Sequence, residues 1–187
     1  MQDYDVVVIG SGPAGEGAAM RMSKEGKRVA VIEAHHQVGG NCTHKGTIPS
    51  KALRHAIQLL ADYRHHPLFE HTVGIMDVSW PQLLKTSEEV IGRQVGMRHR
   101  YYGRNGVDVI HGFARFVDAT TLEVDRPDGN RMQVRASEFV IATGSRPRDL
   151  PVLKIDEDRI WSSTGALMQK EAPGSLFIVG AGAIGME

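Results

Sequence analysis

Three glycines near the start of the chain have a spacing that could bring the backbone close to a phosphate. Gly10 permits a tight turn, Gly12 carries no Cβ to obstruct a bound group, and Gly15 lets a helix pack closely on a strand. Free N–H groups and the dipole at the start of such a helix favour an anion. Glu33 follows where dinucleotide sites place a ribose acceptor. The spacing therefore predicts a dinucleotide site, and Glu33 favours FAD or NAD because its carboxylate repels the 2′-phosphate of NADP.

A βαβ unit must position these residues. Tyr4 to Gly10 contains a consecutive apolar run that predicts a buried parallel strand. A helix is expected after the glycines, ending near Gly26, and Arg28 to Glu33 predicts a second strand. The unit spans about thirty residues, the usual size of a dinucleotide-binding half. The alternative is an ordinary tight turn beside a solvated glutamate, and this ordered context weighs against it.

A thiol and an amine farther along are the next candidates for chemistry. Cys42 is the sole cysteine of the sequence, so no internal disulfide can form. Its neighbours His44 and Lys45 could support a thiolate, but a packing role beside a cofactor is the stronger interpretation. Lys51 follows Pro49, which suits the first position of a helix. The helix dipole disfavours a lysine in the first turn, which favours a functional role over that of a solvated side chain.

The remaining pattern predicts two helices and then several strands. Residues 34–48 are expected to form a loop, and helices are expected over 49–63 and from Trp80 to the stop signal at Asn105-Gly106. Strands are expected at residues 109–117, 121–124, 132–135, 139–142 and 175–180. The last of these leads into a second glycine motif at Gly180, Gly182 and Gly185. This motif repeats the spacing of the first one.

The segment from Glu33 to Lys51 resembles the FAD-binding signature of flavoproteins with two dinucleotide-binding domains, the family of glutathione reductase and dihydrolipoamide dehydrogenase. That signature reads Gly-Gly-x-Cys-x-x-x-x-Cys-x-Pro-x-Lys, and the chain matches it at Gly39, Gly40, Cys42, Pro49 and Lys51. Thr47 occupies the position of the second cysteine. Because a threonine hydroxyl cannot form a sulfur–sulfur bond, we expect no disulfide reduction by the family's route.

Within that family, the string from Cys42 to His55 resembles the transhydrogenase branch, and the resemblance extends through Gly112 to Asp118 and covers essentially the whole chain. It implies hydride transfer between NADPH and NAD+ through bound FAD, with pyridine nucleotides as substrates. Two alternatives stay open. One is a diaphorase or reductase that uses NAD(P)H, and the other is a non-catalytic FAD-binding module.

The resemblance also implies roles for individual residues. Lys51 is expected beside the flavin, where a cation stabilises the anionic reduced form, and Glu187 is expected to pair with it. These two are the expected catalytic residues. The expected FAD-binding residues are Gly10, Gly12, Pro13, Ala14, Gly15, Glu33, Ala34, His35, His36, Gln37, Val38, Gly39, Gly40, Asn41, Cys42, Lys51, Gly112, Phe113, Ala114, Thr143, Gly144 and Ser145. The expected contacts to NAD or NADP are Gly180, Gly182 and Gly185.

Together the patterns predict the α/β class. Residues 1–149 are expected to form a doubly wound, Rossmann-like FAD-binding domain that carries a three-stranded antiparallel insert. Residues 150–187 are expected to begin a second dinucleotide-binding domain, for NAD(P), after a linker near Pro147–Pro151. The chain is therefore expected to be the N-terminal part of a longer protein. The residue that separates NAD from NADP should follow Gly185 by about twenty positions, outside this sequence.

Charge and composition exclude several other classes. Lys and Arg total 22 and so do Asp and Glu, so no net field favours nucleic acid or an anionic membrane. The apolar runs are of strand length, far short of a membrane span. The nine histidines show no spacing typical of a metal site, so no metal is expected. A single cysteine is consistent with the cytoplasm. A homo-oligomer is expected for the longer protein by resemblance alone.

Overall fold

The computed structural model describes residues 1–69, 71, 78–148 and 150–187. These residues divide into two compact units, one formed by Met1–Thr43 and Arg93–Ser145, the other by His44–Gly92 and Arg146–Glu187. The elements in chain order are β1 (Gln2–Ile9), α1 (Pro13–Lys24), β2 (Val29–Glu33), α2 (Gly40–His44), α3 (Thr47–His65), a 3-10 turn (Pro67–Phe69), α4 (Trp80–Arg104), β3 (Asp108–His111), β4 (Phe113–Phe116), β5 (Thr121–Asp125), β6 (Arg131–Ile141), α5 (Ser163–Leu167) and α6 (Ala183–Met186).

The first unit is built on a six-stranded sheet with the order β3-β2-β1-β6-β5-β4. β1 pairs in parallel with both β2 and β6, and β2 pairs in parallel with β3, whereas β4, β5 and β6 form an antiparallel meander. Val6, Val7 and Val8 are fully buried, as expected for a central parallel strand that is covered on both faces. The predicted α/β, Rossmann-like class with a three-stranded antiparallel insert is confirmed.

β6 belongs to both parts of this sheet. Residues 132–135 and 139–142 were expected to be separate strands, and this was wrong, because β6 runs from Arg131 to Ile141. Residues 131–135 pair with β5, and β6 continues without a break to pair with β1 as far as Ile141. Glu138 sits at the surface of this strand, with Lys27 Nζ 3.2 Å from its carboxylate. The insert is therefore continuous with the parallel sheet.

Gly112 divides the strand expected over residues 109–117. The structure has β3 and β4 there instead, and Gly112 lies between them with φ +156°. A Cβ at this position would lie 2.5 Å from Val124 Cγ1 and 2.7 Å from the Asp125 carbonyl oxygen, so only glycine fits. β3 and β4 form opposite edges of the sheet although one residue separates them in the chain. The sheet must therefore curl until its two edges meet at Gly112.

The core of the first unit lies between the parallel strands and the insert. Its buried members come from five strands: Tyr4, Val7, Ala30, Ile32, Ile110, Leu122, Val124, Val134 and Ala136. Burying a valine or leucine side chain stabilises a fold by about 1.5–3 kcal/mol. On β1, Val8 points instead towards α1, where it approaches Gly15. The two faces of the parallel sheet are thus covered by different elements, the insert and α1.

The second unit combines α3, the first part of α4 and the segment after residue 145. Ser87 Oγ donates to the Pro49 carbonyl oxygen at 3.3 Å, and Trp80 Nε1 donates to the Gln169 carbonyl oxygen at 2.8 Å. Ser162 caps α5, because its Oγ accepts the N–H groups of Thr164 and Gly165. The bonds of Ser87 and Trp80 join segments that are distant in sequence, whereas the cap of Ser162 is local.

Two expected boundaries in and before this unit were wrong. α3 begins at Thr47, so Pro49 is its third residue and not its first. A proline is still tolerated there, because it has no N–H and the N–H groups of the first turn have no partner within the helix. The expected loop over residues 34–48 also contains the short helix α2. Local turns of this length carry no apolar period, so the sequence gives little signal for them.

α4 is the longest helix, with 25 residues, and contributes to both units. Gly92 and Gly96 lower its intrinsic helix propensity, yet the helix is continuous through both. Its C-terminal half is tied to α1 by an ion pair of 2.8 Å between Arg98 Nε and Glu16 Oε2. Among the described residues, no helix has the length and apolar character needed to cross a membrane.

The strand expected over residues 175–180 does not form. Its apolar side chains are exposed, with Phe177 at 89% and Leu176 at 59%. Within the described parts of the chain, no segment pairs with these residues. A strand needs a hydrogen-bonded neighbour, and an apolar run alone does not provide one. The apolar residues are present, but the strand predicted from them was wrong.

Candidate functional site

The first glycine turn leaves an uncapped helix start. Gly10 has φ +103°, and a Cβ there would lie 2.3 Å from the Ala142 carbonyl oxygen. A Cβ on Gly15 would lie 1.9 Å from the Gly10 carbonyl oxygen. Gly12 is the N-cap of α1 and offers no side chain to its N–H groups, while Pro13 opens the helix. The first turn of α1 can therefore accept an anion.

A second glycine pair lies against this turn. Gly39 and Gly40 have φ +120° and +61°, values that suit glycine. A Cβ on Gly40 would lie 2.8 Å from Gly12 Cα, and a Cβ on Gly39 would lie 2.6 Å from Thr43 Oγ1. The two turns thus approach backbone to backbone. They form a cradle that a side chain would fill, which fits the narrow pyrophosphate of a dinucleotide.

Glu33 closes this cradle from the end of β2. Its side chain is buried, and its Oε2 accepts the Ser11 N–H at 3.0 Å and the Ser11 hydroxyl through a very short bond. Its Oε1 accepts the His35 N–H at 2.9 Å. Ser11 Oγ in turn accepts the Gly39 N–H at 2.9 Å. The carboxylate is therefore fixed in orientation by protein donors on both oxygens.

Ser11 is a site residue that the sequence analysis missed. It is fully buried between Gly10 and Gly12. The glycine-spacing rule treats this position as any residue, so it gives no reason to single out a serine. A short polar residue inside an otherwise small and apolar turn was the available signal, because a buried hydroxyl must find partners.

The loop after Glu33 carries several of the predicted contacts. Ala34, His35 and His36 are exposed, and Gln37 is half-buried. Val38 is fully buried and anchors the loop before the glycine pair. Nδ1 of His111 on β3 lies 2.9 Å from the His35 carbonyl oxygen. The loop is therefore held at both of its ends, and its middle is open to solvent.

The other predicted contacts of the first unit lie on α1 and α2, at the start of β4 and in the segment after β6. Gly112 donates its N–H to the Glu33 carbonyl oxygen at 2.9 Å, and Phe113 and Ala114 follow on β4. Asn41 Nδ2 donates to the Ser145 carbonyl oxygen at 2.7 Å, which joins the start of α2 to the segment after β6. That segment includes Thr143 and Gly144, both exposed, and Ala14 is exposed on α1. Cys42 is a free, half-buried thiol on α2.

The second unit brings Lys51 and Glu187 together. Lys51 Nζ lies 2.9 Å from Glu187 Oε1, and Ser50 Oγ donates to Oε2 at 3.4 Å. The hydrogen bond from Lys51 is the largest cause that lowers the pKa of Glu187, and the charge of Arg54 adds to it. The lysine side chain is 62% exposed and the glutamate side chain 20%. The pair can present an ammonium group whose position is fixed by a carboxylate.

The second glycine motif forms a turn of its own. Gly180 has φ +110°, and Gly182 is the N-cap of α6. A Cβ on Gly185 would lie 2.2 Å from the Gly180 carbonyl oxygen and 3.3 Å from Ile178 Cγ2. All three glycines are therefore in one local turn, as the spacing predicted. Within the described residues, no group of three or more His, Cys, Asp or Glu side chains is placed to hold a metal ion.

Comparison with curated proteins gives close relatives over nearly the whole chain. The chain is 46% identical over 185 residues to the soluble pyridine nucleotide transhydrogenase of Erwinia tasmaniensis, and 45% identical to that of Colwellia psychrerythraea. Each match covers 99% of this chain and 40% of the relative. The chain thus spans about two-fifths of the length of these relatives.

Solved structures give the same fold. The Cu(II) complex of a mutant of the HOCl-induced flavoprotein disulfide reductase RclA from Escherichia coli matches with a TM-score of 0.80 and 30% identity, over 99% of this chain and 38% of that one. LpdA from Mycobacterium tuberculosis matches with a TM-score of 0.74 and 26% identity, over 89% and 37%. The family model of the pyridine nucleotide-disulphide oxidoreductases matches residues 4–187. The chain belongs to the pyridine nucleotide-disulphide oxidoreductase family.

Proposed function

We propose that the protein that carries this chain transfers a hydride between NADPH and NAD+ through bound FAD. The observation that carries the proposal is the backbone cradle between Gly12 and Gly40, closed by the buried carboxylate of Glu33. It offers uncapped N–H groups and a fixed acceptor, the two features that a pyrophosphate and a ribose need. The relatives that are named soluble pyridine nucleotide transhydrogenases support the choice of reaction.

In this proposal the first unit binds the adenosine and pyrophosphate part of FAD. The start of α1 faces the pyrophosphate, and Gly12 and Gly40 allow its close approach. Among the described residues, Glu33 Oε1 accepts one hydrogen bond, from the His35 N–H, and so keeps capacity for a ribose hydroxyl. When bound, FAD supplies a ring that accepts a hydride from one nucleotide and gives it to another. The remaining predicted FAD contacts, from Ala34 to Asn41 and at Gly112–Ala114 and Thr143–Ser145, are proposals of the same kind.

Lys51 and Glu187 supply the electrostatic part of the proposal. An ammonium group stabilises the negative charge that develops when a neighbouring ring is reduced. Glu187 orients Lys51 through the bond of 2.9 Å. Because the pKa of Glu187 is lowered, the carboxylate stays ionised through neutral pH and the pair is lost only as the pH falls towards the acid range. Lys51 should therefore keep its position across the pH range in which pyridine nucleotides are used.

Thr47 argues against sulfur chemistry at this site. It is the first residue of α3 and stands five positions after Cys42, the free thiol. A dithiol–disulfide cycle needs a second sulfur that can attack the first, and a hydroxyl cannot serve. We infer that Cys42 packs beside the cofactor and takes no part in the hydride transfer.

The proposal has wider parts that rest on resemblance. The FAD-binding domain is taken as residues 1–149, and a domain for NAD(P) as starting at residue 150 with the turn of Gly180, Gly182 and Gly185. A cytoplasmic location and a homo-oligomer of the longer protein belong to the same proposal. Each stays a prediction.

The decisive experiment measures hydride transfer from NADPH to a thio-analogue of NAD+ by the protein that carries this chain. Double-reciprocal plots should give parallel lines, as expected when one bound flavin is alternately reduced and reoxidised. Lys51→Met should slow this transfer at least tenfold. Lys85→Met, which removes an exposed lysine from α4 in the same unit, is the matched control and should leave the rate unchanged.

The substrate range tests the same proposal from the other side. Glutathione disulfide and lipoamide should not be turned over, because Cys42 has no partner sulfur at position 47. Reduction of either disulfide at a rate comparable to nucleotide exchange contradicts the proposal. Turnover with a quinone or a dye, combined with no transfer to the NAD+ analogue, indicates a diaphorase instead.

A further inference from the structure

We propose that Ser11 is a positioning residue that locks the two glycine turns of the FAD cradle together. This inference rests on the proposed FAD-binding function. Ser11 is fully buried and joins its own turn to two other pieces of the first unit, Glu33 and Gly39, through one short side chain and its own N–H. Its place between Gly10 and Gly12 puts it within the turn that opens α1.

The Ser11 hydroxyl donates one hydrogen bond and accepts another. Its hydroxyl has a single proton, which goes to Glu33 Oε2, because an ionised carboxylate can only accept. A lone pair of the same hydroxyl is therefore free to accept the Gly39 N–H at 2.9 Å. Removing the hydroxyl leaves the buried Gly39 N–H without this acceptor and takes one donor away from Glu33.

Ser11 controls the part of the cradle that a ligand needs. Gly40 follows Gly39 directly, and its missing Cβ would lie 2.8 Å from Gly12 Cα. The bond from Gly39 to Ser11 thus sets the separation of the two turns at the start of α1. Two donors from Ser11 also fix Glu33 Oε2 before any ligand arrives. A site whose acceptor and walls are already in place loses less entropy when it binds.

A purely structural role predicts different behaviour. If Ser11 only filled space in the turn, replacing it would lower stability and leave flavin affinity and the loop after Glu33 unchanged. If Ser11 positions the cradle, affinity and local protection of Gly39 fall together, and the effect depends on Glu33. These outcomes separate the two roles even when the variants differ somewhat in stability.

The first test measures FAD dissociation from the protein that carries this chain, by the recovery of flavin fluorescence on release. Ser11→Ala should weaken binding about tenfold, the size expected when a buried group loses a bond to a charged partner. Ser23→Ala is the matched control, because Ser23 Oγ donates to the Asn105 carbonyl oxygen at 2.5 Å in the same unit, away from the cradle. It should bind FAD as the wild type does. Unchanged affinity in Ser11→Ala, or an equal loss in Ser23→Ala, overturns the proposal.

The second test is a double-mutant cycle with Glu33→Gln. Adding Ser11→Ala to that variant should weaken binding less than threefold, because the two residues act through one hydrogen-bonded unit. A full additional tenfold loss means that Ser11 acts independently of Glu33 and overturns the proposed linkage.

The third test needs no ligand. Amide exchange at Gly39 should be at least tenfold faster in Ser11→Ala than in the wild type or in Ser23→Ala, because the N–H loses its buried acceptor. If the wild type binds no FAD, the proposed function fails, while faster exchange at Gly39 still upholds the structural link. Unchanged exchange at Gly39 overturns the inference whatever the protein binds.

Discussion

Gly10 and Gly180 open two glycine turns of the same kind, with φ of +103° and +110°. In both, the last glycine of the motif comes so close to the first that a Cβ would lie 1.9 or 2.2 Å from a carbonyl oxygen. The surroundings differ. Gly10 also abuts the backbone at Ala142, whereas a Cβ on Gly180 would meet nothing within 4 Å. The first turn is clamped between strands, and the second stands among exposed residues.

This difference separates what a motif specifies from what a sheet must supply. The glycine spacing is enough to form the turn and start a helix in both places. It is not enough to make a strand of the preceding apolar residues. Val8 is fully buried in a strand with two partners, while Ile178, at the matching position, is 54% exposed and in no strand. The five predictions that follow test this contrast.

The largest effect is expected from adding one methyl group to each turn. Gly15→Ala forces a Cβ against the Gly10 carbonyl, and Gly10 is held by its N–H bond to the Ile32 carbonyl oxygen at 2.8 Å. We expect a loss of about 3 kcal/mol or more in the free energy of unfolding, measured by urea denaturation. Gly185→Ala makes the same local clash in a short exposed helix that can yield, and should cost less than about 0.5 kcal/mol. Equal losses would mean that the two turns are equally constrained.

The next largest effect on stability is expected from the ion pair Arg98–Glu16, compared with the pair Lys51–Glu187. The side chain of Arg98 is 9% exposed and that of its partner Glu16 20%, whereas Lys51 is 62% exposed. Arg98→Met leaves a largely buried carboxylate without its cation and should destabilise the first unit by about 2 kcal/mol. Lys51→Met should leave the urea midpoint unchanged, since exposed pairs contribute little. A similar shift for both variants would show that burial does not distinguish the pairs.

Truncating the matching apolar residues should give a smaller difference. Val8→Ala removes fully buried methyl groups from the central strand and should cost about 1.5 kcal/mol. Ile178→Ala removes a more exposed side chain and should cost less than about 0.5 kcal/mol. Both free energies come from the same urea titration. A cost at Ile178 as large as that at Val8 would mean that residues 175–180 are packed as a strand in solution.

The smallest effect is on the pH dependence of stability. Burial and the hydrogen bond to Asp108 raise the pKa of Tyr4 from its usual 10 to about 12. The resulting stabilisation of the first unit is complete below pH 10 and is lost as the pH rises through 12. Tyr4→Phe should therefore flatten the alkaline limb of a plot of urea midpoint against pH. An alkaline limb as steep as that of the wild type would contradict this assignment.

In the second unit, the expected pH dependence is at the acid end and involves the loop that starts at Asp156. Three backbone N–H groups, of Ile160, Asp158 and Arg159, bond to the carboxylate of Asp156 and lower its pKa. Their stabilisation is present above the ordinary value of 3.8 and is lost as the pH falls through the lowered value. Asp156→Asn should weaken the dependence of this loop on acid pH, which NMR signals of the loop can report. An unchanged acid response would indicate that another group controls the loop.

The sequence predicted those features of the fold that depend on residues close together in the chain. Runs of β-branched residues predicted β1 and β2, and glycine spacing predicted both turns, because these depend on neighbours in the chain. Ser11 and the Arg98–Glu16 pair were not predicted, since each depends on contacts between segments far apart. The continuity of β6 was hidden for a related reason: its two halves serve different partner strands, and periodicity does not say which partner a strand will have.

Gly112 has a consequence for how the chain can change length. Insertions are usually tolerated between strands, because connecting segments lie at the surface and carry few constraints. The junction of β3 and β4 is of another kind, since a single buried residue there holds both edges of one sheet in place. An extra residue at Gly112 would release the curl of the sheet and shift Phe113 to Phe116 against β5. The exposed turn around Gly129, between β5 and β6, has no such role. We therefore expect length variation among relatives to collect at that turn and to be absent at Gly112.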